Sequence, residues 1–175
     1  MSNLHFRLMV VFLKLRDLFL PPGIIVKEAG IKQGSVVLDF GCGPGGFAIA
    51  AAEMAGPDGR IYALDVHPLA VKVTEKAAAR KGLRNVETIR SDCATGLEDK
   101  SVDVILLYDT FHTLSDRKAV LEELYRVLKD DGILSFSDHH MKENEIISGI
   151  TSGGVFRLLR KGKKTYSFVK EVFRR

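Results

Sequence analysis

Residues 36–47, VVLDFGCGPGGF, constrain this chain more than any other stretch of its sequence. An apolar, strand-like run contains one acidic residue, Asp39, and four glycines follow within residues 41–46. Apolar runs of this length favour a buried strand, whereas glycines allow a tight turn and let backbone N–H groups approach a ligand that a Cβ would exclude. The stretch therefore predicts a strand that leads through a ligand-binding loop into a helix beginning near Gly46.

Segments typical of strands and helices alternate along the rest of the chain. Strand-like runs cover residues 35–40, 61–65, 86–90, 102–108 and 133–138, and helical patterns cover residues 46–54, 68–81, 116–128 and 143–148. Such alternation predicts a parallel sheet covered by helices on both faces. Residues 155–161 and 164–171 are two further strand-like runs with little more than Gly162 between them. No helix fits there, so they predict an antiparallel hairpin.

Length and composition indicate one ordinary globular domain. The chain has 175 residues, of which 46% are hydrophobic and 27% charged, as in soluble domains. Its two cysteines, Cys42 and Cys93, form no CxxC motif, which indicates a reducing compartment and no structural zinc. We therefore expect a cytoplasmic protein, with residues 21–175 forming a single domain.

Residues 1–20 form a separate segment with a broad apolar face. The longest uncharged stretch, residues 8–13, is far shorter than the roughly 20 residues that a membrane span needs. The pair Pro21-Pro22 would end a helix here. We expect a helix that packs on the domain or on a second copy in a homodimer, with a lid over an apolar substrate or a membrane-surface anchor as alternatives.

Three predicted strands end in an acidic residue: Asp39, Asp65 and Asp92. The loop also satisfies the dinucleotide pattern Gly41-x-Gly43-x-x-Gly46, but a carboxylate just before it would repel a pyrophosphate. Asp39 would instead attract a positively charged ligand. A carboxylate such as Asp65 can accept hydrogen bonds from both hydroxyls of a ribose, and Asp92 would meet an exocyclic adenine amine.

These residues carry a resemblance to the class I S-adenosylmethionine-dependent methyltransferases, in the subgroup that resembles quinone-biosynthesis and small-molecule C-methyltransferases. The similar segments are VLDFGCGPG (37–45), ALDVHP (63–68), SDC (91–93), SVDVILLYDTFHTLSD (101–116) and RVLKDDGILSFSD (126–138). The resemblance implies a doubly wound, Rossmann-like α/β fold with seven strands in the order 3-2-1-4-5-7-6 and strand 7 antiparallel.

The resemblance also implies where S-adenosylmethionine would bind. Gly41 and Gly43 would shape the loop under its methionine part, Asp39 would help hold its amino group, and Tyr108 or Asp109 would face its amino-acid end. The whole predicted cofactor-binding set is Asp39, Gly41, Cys42, Gly43, Asp65, Val66, Asp92, Cys93 and Tyr108. Within it, Cys42 is interpreted as a small buried side chain rather than a nucleophile.

Histidines cluster where the methyl acceptor is expected, beyond the ends of the fourth and fifth strands. Our hypothesis is that His112 or His139 acts as a general base or orients the acceptor. One alternative is a divalent metal held by ligands from Asp109, His112, His139 and His140. In another, these histidines only cap helices or bond loop backbone.

The predicted function is methyl transfer to a small or isoprenoid-type molecule. A net charge of +4 and a basic C-terminal region leave RNA or protein as an alternative acceptor, and an anionic membrane surface as a possible contact. The basic residues there are Arg157, Arg160, Lys161, Lys163, Lys164, Lys170, Arg174 and Arg175. The tetrapeptide 108–111, Tyr-Asp-Thr-Phe, replaces the NPPY-like motif of many amino-group methylases. An inactive cofactor-binding subunit that stabilises a catalytic partner is the third alternative.

Overall fold

The fold was determined from a computed structural model that describes residues 21–171. The helix and dimer contact predicted for residues 1–20 lie outside these residues. The helices are α1 (Pro22–Val26), α2 (Gly46–Ala55), α3 (Pro68–Arg80), α4 (Arg117–Val127) and α5 (Glu143–Thr151). The strands are β1 (Val36–Phe40), β2 (Arg60–Asp65), β3 (Val86–Arg90), β4 (Val102–Tyr108), β5 (Leu128–Ser137), β6 (Phe156–Lys161) and β7 (Tyr166–Lys170), and short 3₁₀ turns cover Lys27–Ala29 and Phe111–Thr113.

All seven strands form one sheet in the order β3-β2-β1-β4-β5-β7-β6. The pairs from β3 to β5 are parallel, whereas β7 is antiparallel to both β5 and β6. This is the predicted order, and the terminal hairpin is confirmed. The carboxyl ends of β1, β2, β3 and β4 therefore meet at one edge of the sheet, where the glycine loop also lies.

Successive side chains of β1 belong to two different apolar clusters, one on each face of the sheet. Val37 packs in a cluster with α1 and α2, whereas Leu38 packs in a cluster that includes α4 and α5. Successive side chains of a strand point to opposite faces, so Asp39 lies on the same face as Val37 and beneath α2. This placement decides how Asp39 can act in the site.

Helix α2 packs closely on the sheet because the side chains on its buried side are small. Ala48, Ala51, Ala52 and Ala55 are all almost fully buried. Gly45 (φ +86°) and Gly56 (φ +69°) flank the helix in the left-handed region, which glycine adopts without steric cost. The helix therefore begins directly at the loop and fixes the position of its backbone.

Strand β5 starts earlier than the predicted strand 133–138. It begins at Leu128, directly after α4, and Leu128 pairs with Val102 before the register shifts and Ile133 pairs with Val104. The segment Asp130-Asp131-Gly132 has the composition of a turn, but ion pairs hold it as an irregular extension: Lys129 Nζ contacts Asp103 at 2.6 Å and Asp130 contacts Lys100 at 2.7 Å. Tertiary contacts thus outweigh local turn preference here.

Within residues 21–171, each helix falls short of the length and apolar character needed to cross a lipid bilayer.

Candidate active site

A cleft of about 660 Å³ opens at the carboxyl ends of the parallel strands. This volume lies in the range of small-molecule sites, and the edge is where ligands bind in doubly wound sheets. The walls come from the glycine loop, the ends of β2 to β4 and the turn after β4. The lining residues are Phe40, Gly41, Cys42, Gly43, Pro44, Gly46, Phe47, Leu64, Asp65, Val66, His67, Ser91, Asp92, Tyr108, Asp109, Thr110, Thr113, Leu114 and Ser115.

Asp65 joins the glycine loop to the end of β2. Its Oδ2 accepts a hydrogen bond from the backbone N–H of Gly43 at 2.9 Å, and its Oδ1 accepts one from the N–H of His67 at 2.8 Å. The carboxylate is therefore held in one orientation on the wall of the cleft. A second lone pair on each oxygen can accept from the hydroxyl groups of a ligand.

Three glycines of the loop meet two different requirements. A Cβ on Gly41 would lie 2.2 Å from Thr110 Oγ1, and one on Gly45 would lie 2.6 Å from Thr74 Oγ1, so close packing accounts for both. A Cβ on Gly43 (φ +52°) would meet no atom within 4 Å. Gly43 is thus the position where the backbone borders open space that a ligand can occupy.

The loop's own hydrogen bonds argue against a pyrophosphate ligand. The N–H groups of Gly41 and Cys42 both donate to Leu64 O, at 2.8 and 2.9 Å, and that of Gly45 donates to Cys42 O. Gly43 donates to Asp65, and Pro44 has no N–H. Phosphate-binding loops present their amides to the ligand, whereas the amides of residues 41–45 are already engaged within the protein.

Asp39 does not line the cleft, although it was predicted to bind the cofactor. It is only 1% exposed, and its Oδ2 has no hydrogen-bond partner. Burial and, to a smaller extent, the charge of Asp65 raise the pKa of this carboxyl to about 7, against the opposing effect of a backbone hydrogen bond from Ala48. Asp39 is therefore placed to act on a ligand through its electrostatic field behind the loop or through a bridging hydrogen-bond donor. Its predicted contact with the cofactor stays a prediction.

The other predicted cofactor residues divide into those on the wall and one beside it. Asp65, Val66 and Asp92 line the cleft, and Val66 is 61% exposed at its rim. Cys93 does not line the cleft: it packs on the edge of the apolar cluster that contains α4, and Ser91 lies at the wall instead. Burial raises the pKa of the Cys93 thiol.

Tyr108 and Cys42 line the cleft with apolar surface rather than reactive atoms. The Tyr108 hydroxyl is 2.7 Å from Ser135 Oγ in the interior, and its ring meets Phe47 edge-to-face at 5.0 Å. Burial raises the pKa of both the Tyr108 hydroxyl and the Cys42 thiol. Both groups stay uncharged near neutral pH, which agrees with the interpretation of Cys42 as a buried side chain.

Neither predicted catalytic histidine lies on the wall of the cleft. His112 Nδ1 is 2.8 Å from Oδ2 of Asp138, whose side chain is completely buried. His139 Nδ1 is 2.7 Å from Oδ1 of Asp109. The His140 ring lies tilted against both imidazoles, with its centroid 4.2 Å from that of His112 and 3.9 Å from that of His139. A role for His112 or His139 as base or orienter remains a prediction.

The metal alternative finds no support in the geometry of these side chains. Within residues 21–171, no three His, Cys, Asp or Glu side chains are placed so that they could hold one ion. His112 and His139 each pair with a different carboxylate instead. These side chains thus form two separate aspartate–histidine pairs and not one set of metal ligands.

Several residues of the wall were not found from the sequence. Phe47 follows the glycine loop, and Thr110, Thr113, Leu114 and Ser115 follow β4. Phe47 lies in the stretch 36–47 and the other four lie in the segment 101–116, both of which carry the family resemblance, but neither stretch indicates which of its side chains face the cleft. They add an apolar and hydroxyl-bearing surface on the β4 side of the cleft.

The order of strands, with β7 reversed between β5 and β6, is the one implied by the resemblance, and it places the protein among the class I S-adenosylmethionine-dependent methyltransferases. Residues 31–171 match the model of a family described as a methyltransferase domain, and the chain belongs to that family. S-adenosylmethionine is the cofactor of this class, so the predicted class and cofactor are both confirmed.

Individual relatives agree with this assignment. A demethylmenaquinone methyltransferase of Geobacillus stearothermophilus is 32% identical over 110 residues, which are 62% of this chain and 47% of that protein. The ubiquinone/menaquinone biosynthesis C-methyltransferase UbiE of a Marinomonas species is 26% identical over 77% of this chain and 54% of that one. The chain therefore spans about half the length of these curated relatives.

Solved structures show the same fold over nearly the whole domain. A SAM-dependent methyltransferase from Aquifex aeolicus superposes with a TM-score of 0.75 and 30% identity, over 86% of this chain and 89% of that one. A chain from Methanococcus maripaludis reaches a TM-score of 0.81 at 17% identity, over 97% and 93% of the two chains, which shows the fold alone.

The residues of the cleft fit S-adenosylmethionine. The open space at Gly43 admits a ligand against the backbone, and Asp65 offers carboxylate oxygens to ribose hydroxyls. The orphaned oxygen of Asp39 and the charge of Asp65 favour a cationic ligand, whereas the engaged loop amides do not favour a phosphate. When bound, this cofactor supplies an activated methyl group on a sulfonium.

Proposed function

We propose that this protein is an S-adenosylmethionine-dependent methyltransferase whose acceptor is a small, isoprenoid-type aromatic molecule of the quinone class. The observation that carries the proposal is the position of Asp65 and Gly43. One ordered carboxylate and one open backbone position face a single cleft at the ends of the parallel strands. The names of the curated relatives supply the acceptor class.

The surface of the cleft supports an apolar aromatic acceptor. Phe47, Tyr108 and Leu114 contribute to the side of the wall between α2 and the turn after β4. The Tyr108 ring is fixed by its hydroxyl contact with Ser135 and by the edge contact with Phe47. Preorganised aromatic walls bind flat apolar molecules without loss of side-chain entropy.

The chain's own residues would contribute to methyl transfer mainly by alignment. An in-line displacement requires that acceptor, methyl group and sulfur lie on one line with water excluded. Asp65 and the loop backbone would fix the cofactor, and the β4 side of the wall would fix the acceptor. Because the methyl group arrives already activated, the protein needs a base only where the acceptor must lose a proton.

The basic hairpin gives weaker support to RNA as an acceptor. Arg157 pairs with Glu171 at 3.8 Å, Arg160 donates to the backbone of Glu28, and Lys161 pairs with Glu143. Lys170 is 4% exposed and packs against the Tyr125 ring, so it is not part of a basic surface. Two of the basic side chains that the sequence suggested, Arg157 and Lys161, are therefore paired with carboxylates of the protein itself.

The proposal is tested by incubating the protein with tritiated S-adenosylmethionine and a panel of acceptors. The panel holds a short-chain demethylmenaquinol, that is, a 2-prenyl-1,4-naphthalenediol, beside total RNA and denatured cell protein. We expect label in the naphthalenediol. Label in RNA or protein alone would contradict the acceptor class, and no label in any acceptor would contradict the enzymatic activity.

Asp65→Ala provides the site-specific variant for this assay. It removes the ordered carboxylate, and a lost hydrogen bond to a charged group costs about 1.5–3 kcal/mol, or roughly 10- to 100-fold in cofactor affinity. Asp58→Ala is the matched control, because Asp58 is an exposed carboxylate beyond the opposite end of β2. Equal affinities of the two variants for S-adenosylmethionine would contradict the proposed site.

A further inference from the structure

We propose that Asp109 takes up the proton that the methyl acceptor loses, and that His139 holds Asp109 in position for this step. The inference rests on the proposed function and adds to it a catalytic residue on the acceptor side. It differs from the prediction that a histidine is the base, because the carboxylate of this pair, and not the imidazole, lies on the wall of the cleft.

Asp109 is the titratable residue on the β4 side of the cleft. Asp65, His67 and Asp92 line it at the ends of β2 and β3. The Tyr108 hydroxyl faces Ser135 in the interior, and the Cys42 thiol is buried. The side chain of Asp109 is 26% exposed and borders Thr113, Leu114 and Ser115 in the turn after β4. Among the cleft-lining residues of the part of the chain that the structure describes, Asp109 is thus the one placed to act as a base for a molecule held against this turn.

The backbone holds Asp109 in an unusual conformation. Its φ of +49° lies in the left-handed region, which among non-glycine residues 21–171 is shared only with Lys100. Its N–H donates to Ser137 O at 2.7 Å, which ties the end of β4 to the end of β5. Such conformations cost about 1 kcal/mol or more and persist where surrounding contacts impose them. The contacts fix Asp109 at the acceptor side of the cleft.

His139 makes two contacts with the same oxygen of Asp109. Its backbone N–H donates to Oδ1 at 3.2 Å, and its Nδ1 lies 2.7 Å from that atom. The ring is 65% exposed, so it contacts solvent rather than the ligand cleft. These bonds orient the carboxylate from outside the cleft, as a histidine and a carboxylate orient each other in other acid–base pairs.

A second pair in the same region shows what a purely structural pair looks like. Asp138 has a side chain with no exposure and does not line the cleft; it accepts from His112 N at 3.2 Å, contacts His112 Nδ1 and accepts from His140 N at 3.1 Å. Its partners all belong to the loops after β4 and β5. The Asp138 pair therefore joins two loops, whereas the Asp109 pair reaches the cleft.

When the acceptor atom is a ring carbon, methyl transfer is followed by the loss of a proton from that carbon. The carbon forms its new C–CH₃ bond with a pair of ring electrons, while the S–CH₃ pair stays with sulfur. The carbon then carries both hydrogen and methyl, and Asp109 removes that hydrogen as a proton. The C–H electron pair returns to the ring, and neutral Asp109 releases the proton to water when the product leaves.

The kinetic test compares Asp109→Asn with wild-type protein, using the naphthalenediol as acceptor. Loss of a positioned base costs typically 10²–10⁴-fold, so we expect kcat to fall about 100-fold or more. The acceptor KM and the calorimetric affinity for S-adenosylmethionine should stay within about threefold, since the amide keeps the size of the carboxylate. An unchanged kcat would overturn the inference, and so would a parallel loss of cofactor affinity, which would place Asp109 in the cofactor site.

His139 is tested by a conservative rescue. His139→Ala removes the side-chain donor to Oδ1 but keeps the backbone N–H, and it should lower kcat about tenfold, whereas His139→Asn, whose amide can replace Nδ1–H, should recover most of it. Lys118→Gln changes an 87% exposed side chain on α4 that does not line the cleft and is the control, with kcat unchanged. Equal kcat values for the Ala and Asn variants would overturn the positioning role.

A readout independent of turnover follows the tautomer of His139 by ¹⁵N NMR. Donation to Asp109 requires a proton on Nδ1, and we expect Nδ1 to lose its preference for that proton in Asp109→Ala, which leaves no side-chain acceptor. An Nδ1 without a proton in the wild type would overturn the pairing. If wild-type protein binds S-adenosylmethionine but labels no acceptor, the proposed function fails and the role of Asp109 fails with it. If the wild type is active and Asp109→Asn equally active, only this inference fails.

Discussion

At the scale of single residues, a carboxyl group buried under the glycine loop makes folding depend on a proton. Asp39 lies beneath α2 with one oxygen unpartnered, and burial raises its pKa to about 7 from the ordinary 3.8. Between these two values, the folded state keeps a proton that the unfolded state has released. The free energy of unfolding therefore falls as pH rises through this window.

Asp39→Asn should remove this loss of unfolding free energy at high pH. Each unit of pKa shift corresponds to about 1.4 kcal/mol, so we expect the variant to exceed the wild type by roughly 2–4 kcal/mol in unfolding free energy near pH 8. Near pH 4, where both side chains are neutral in the folded state, the difference should nearly vanish. Urea unfolding at the two pH values measures this.

The control for this comparison is Asp58→Asn, which changes an exposed carboxylate and should alter stability by less than about 0.5 kcal/mol at either pH. An advantage of Asp39→Asn that is the same at both pH values would show that the buried carboxyl keeps an ordinary pKa.

Side-chain direction explains why Asp65 and Asp92 lie on the wall of the cleft whereas Asp39 lies behind it. All three stand near the ends of neighbouring strands, which spacing alone reveals. Asp39 is still inside β1, one residue before its end, and shares the face of Val37. Asp92 comes after β3, in the loop that turns toward the cleft. The spacing of residues in the sequence identifies where a strand ends. The side of the sheet to which each side chain points depends on the residue at which strand pairing stops.

At the scale of elements, one carboxylate connects the start of the domain to the terminal hairpin. Glu28 Oε2 accepts from Lys164 N, Thr165 N and Thr165 Oγ1, at 3.1, 3.1 and 2.9 Å. Burial acts to raise the pKa of Glu28, but these hydrogen bonds outweigh it and hold the pKa below its usual value. The turn between β6 and β7 thus depends on a residue more than 130 positions away.

Glu28→Ala should destabilise the fold through this turn. It leaves three donors without their acceptor, and we expect the free energy of unfolding to fall by about 1–3 kcal/mol at neutral pH. For the ionised carboxylate, the stabilisation is lost as pH falls through its lowered pKa, so the deficit should shrink in acid. Urea unfolding at neutral and acid pH measures both effects.

Glu122→Ala is the control for Glu28→Ala. Glu122 is 60% exposed and lies 3.8 Å from Lys118 on α4, so its removal should cost less than about 0.5 kcal/mol. A Glu28→Ala protein as stable as this control would show that the hairpin holds its turn without Glu28.

Some of these elements could be predicted from the sequence, and others could not. The hairpin and the alternation were predictable because strand-like runs and glycines are local signals. The early start of β5 was not, because Lys129 and Asp130 are held by Asp103 and Lys100, far away in sequence. Ion pairs of this kind are visible only once the strands are adjacent.

At the scale of the whole molecule, the topology brings two different regions to one cleft. The loop after β1 and the end of β2 form the proposed cofactor side, whereas the ends of β4 and β5 bring Asp109 and His139 together. The sequence predicted that these segments share an edge, because parallel strands end at the same side. It could not show that Asp109 rather than His139 lies on the wall of the cleft.

The central claim is that S-adenosylmethionine binds against the backbone of Gly43. Calorimetric titration with S-adenosylmethionine, S-adenosylhomocysteine and NADH tests it in wild type, Gly43→Ala and Gly34→Ala. Both glycines have positive φ and open space around a Cβ, so both substitutions cost a similar roughly 1 kcal/mol of backbone strain. Only Gly43 borders the cleft, whereas Gly34 lies before β1, at the far end of the sheet.

We expect the wild type and Gly34→Ala to bind both adenosyl compounds and not NADH, and Gly43→Ala to bind them at least about tenfold more weakly. Equal affinities in the two variants would place the cofactor elsewhere, and a preference for NADH would contradict the assignment of the glycine loop.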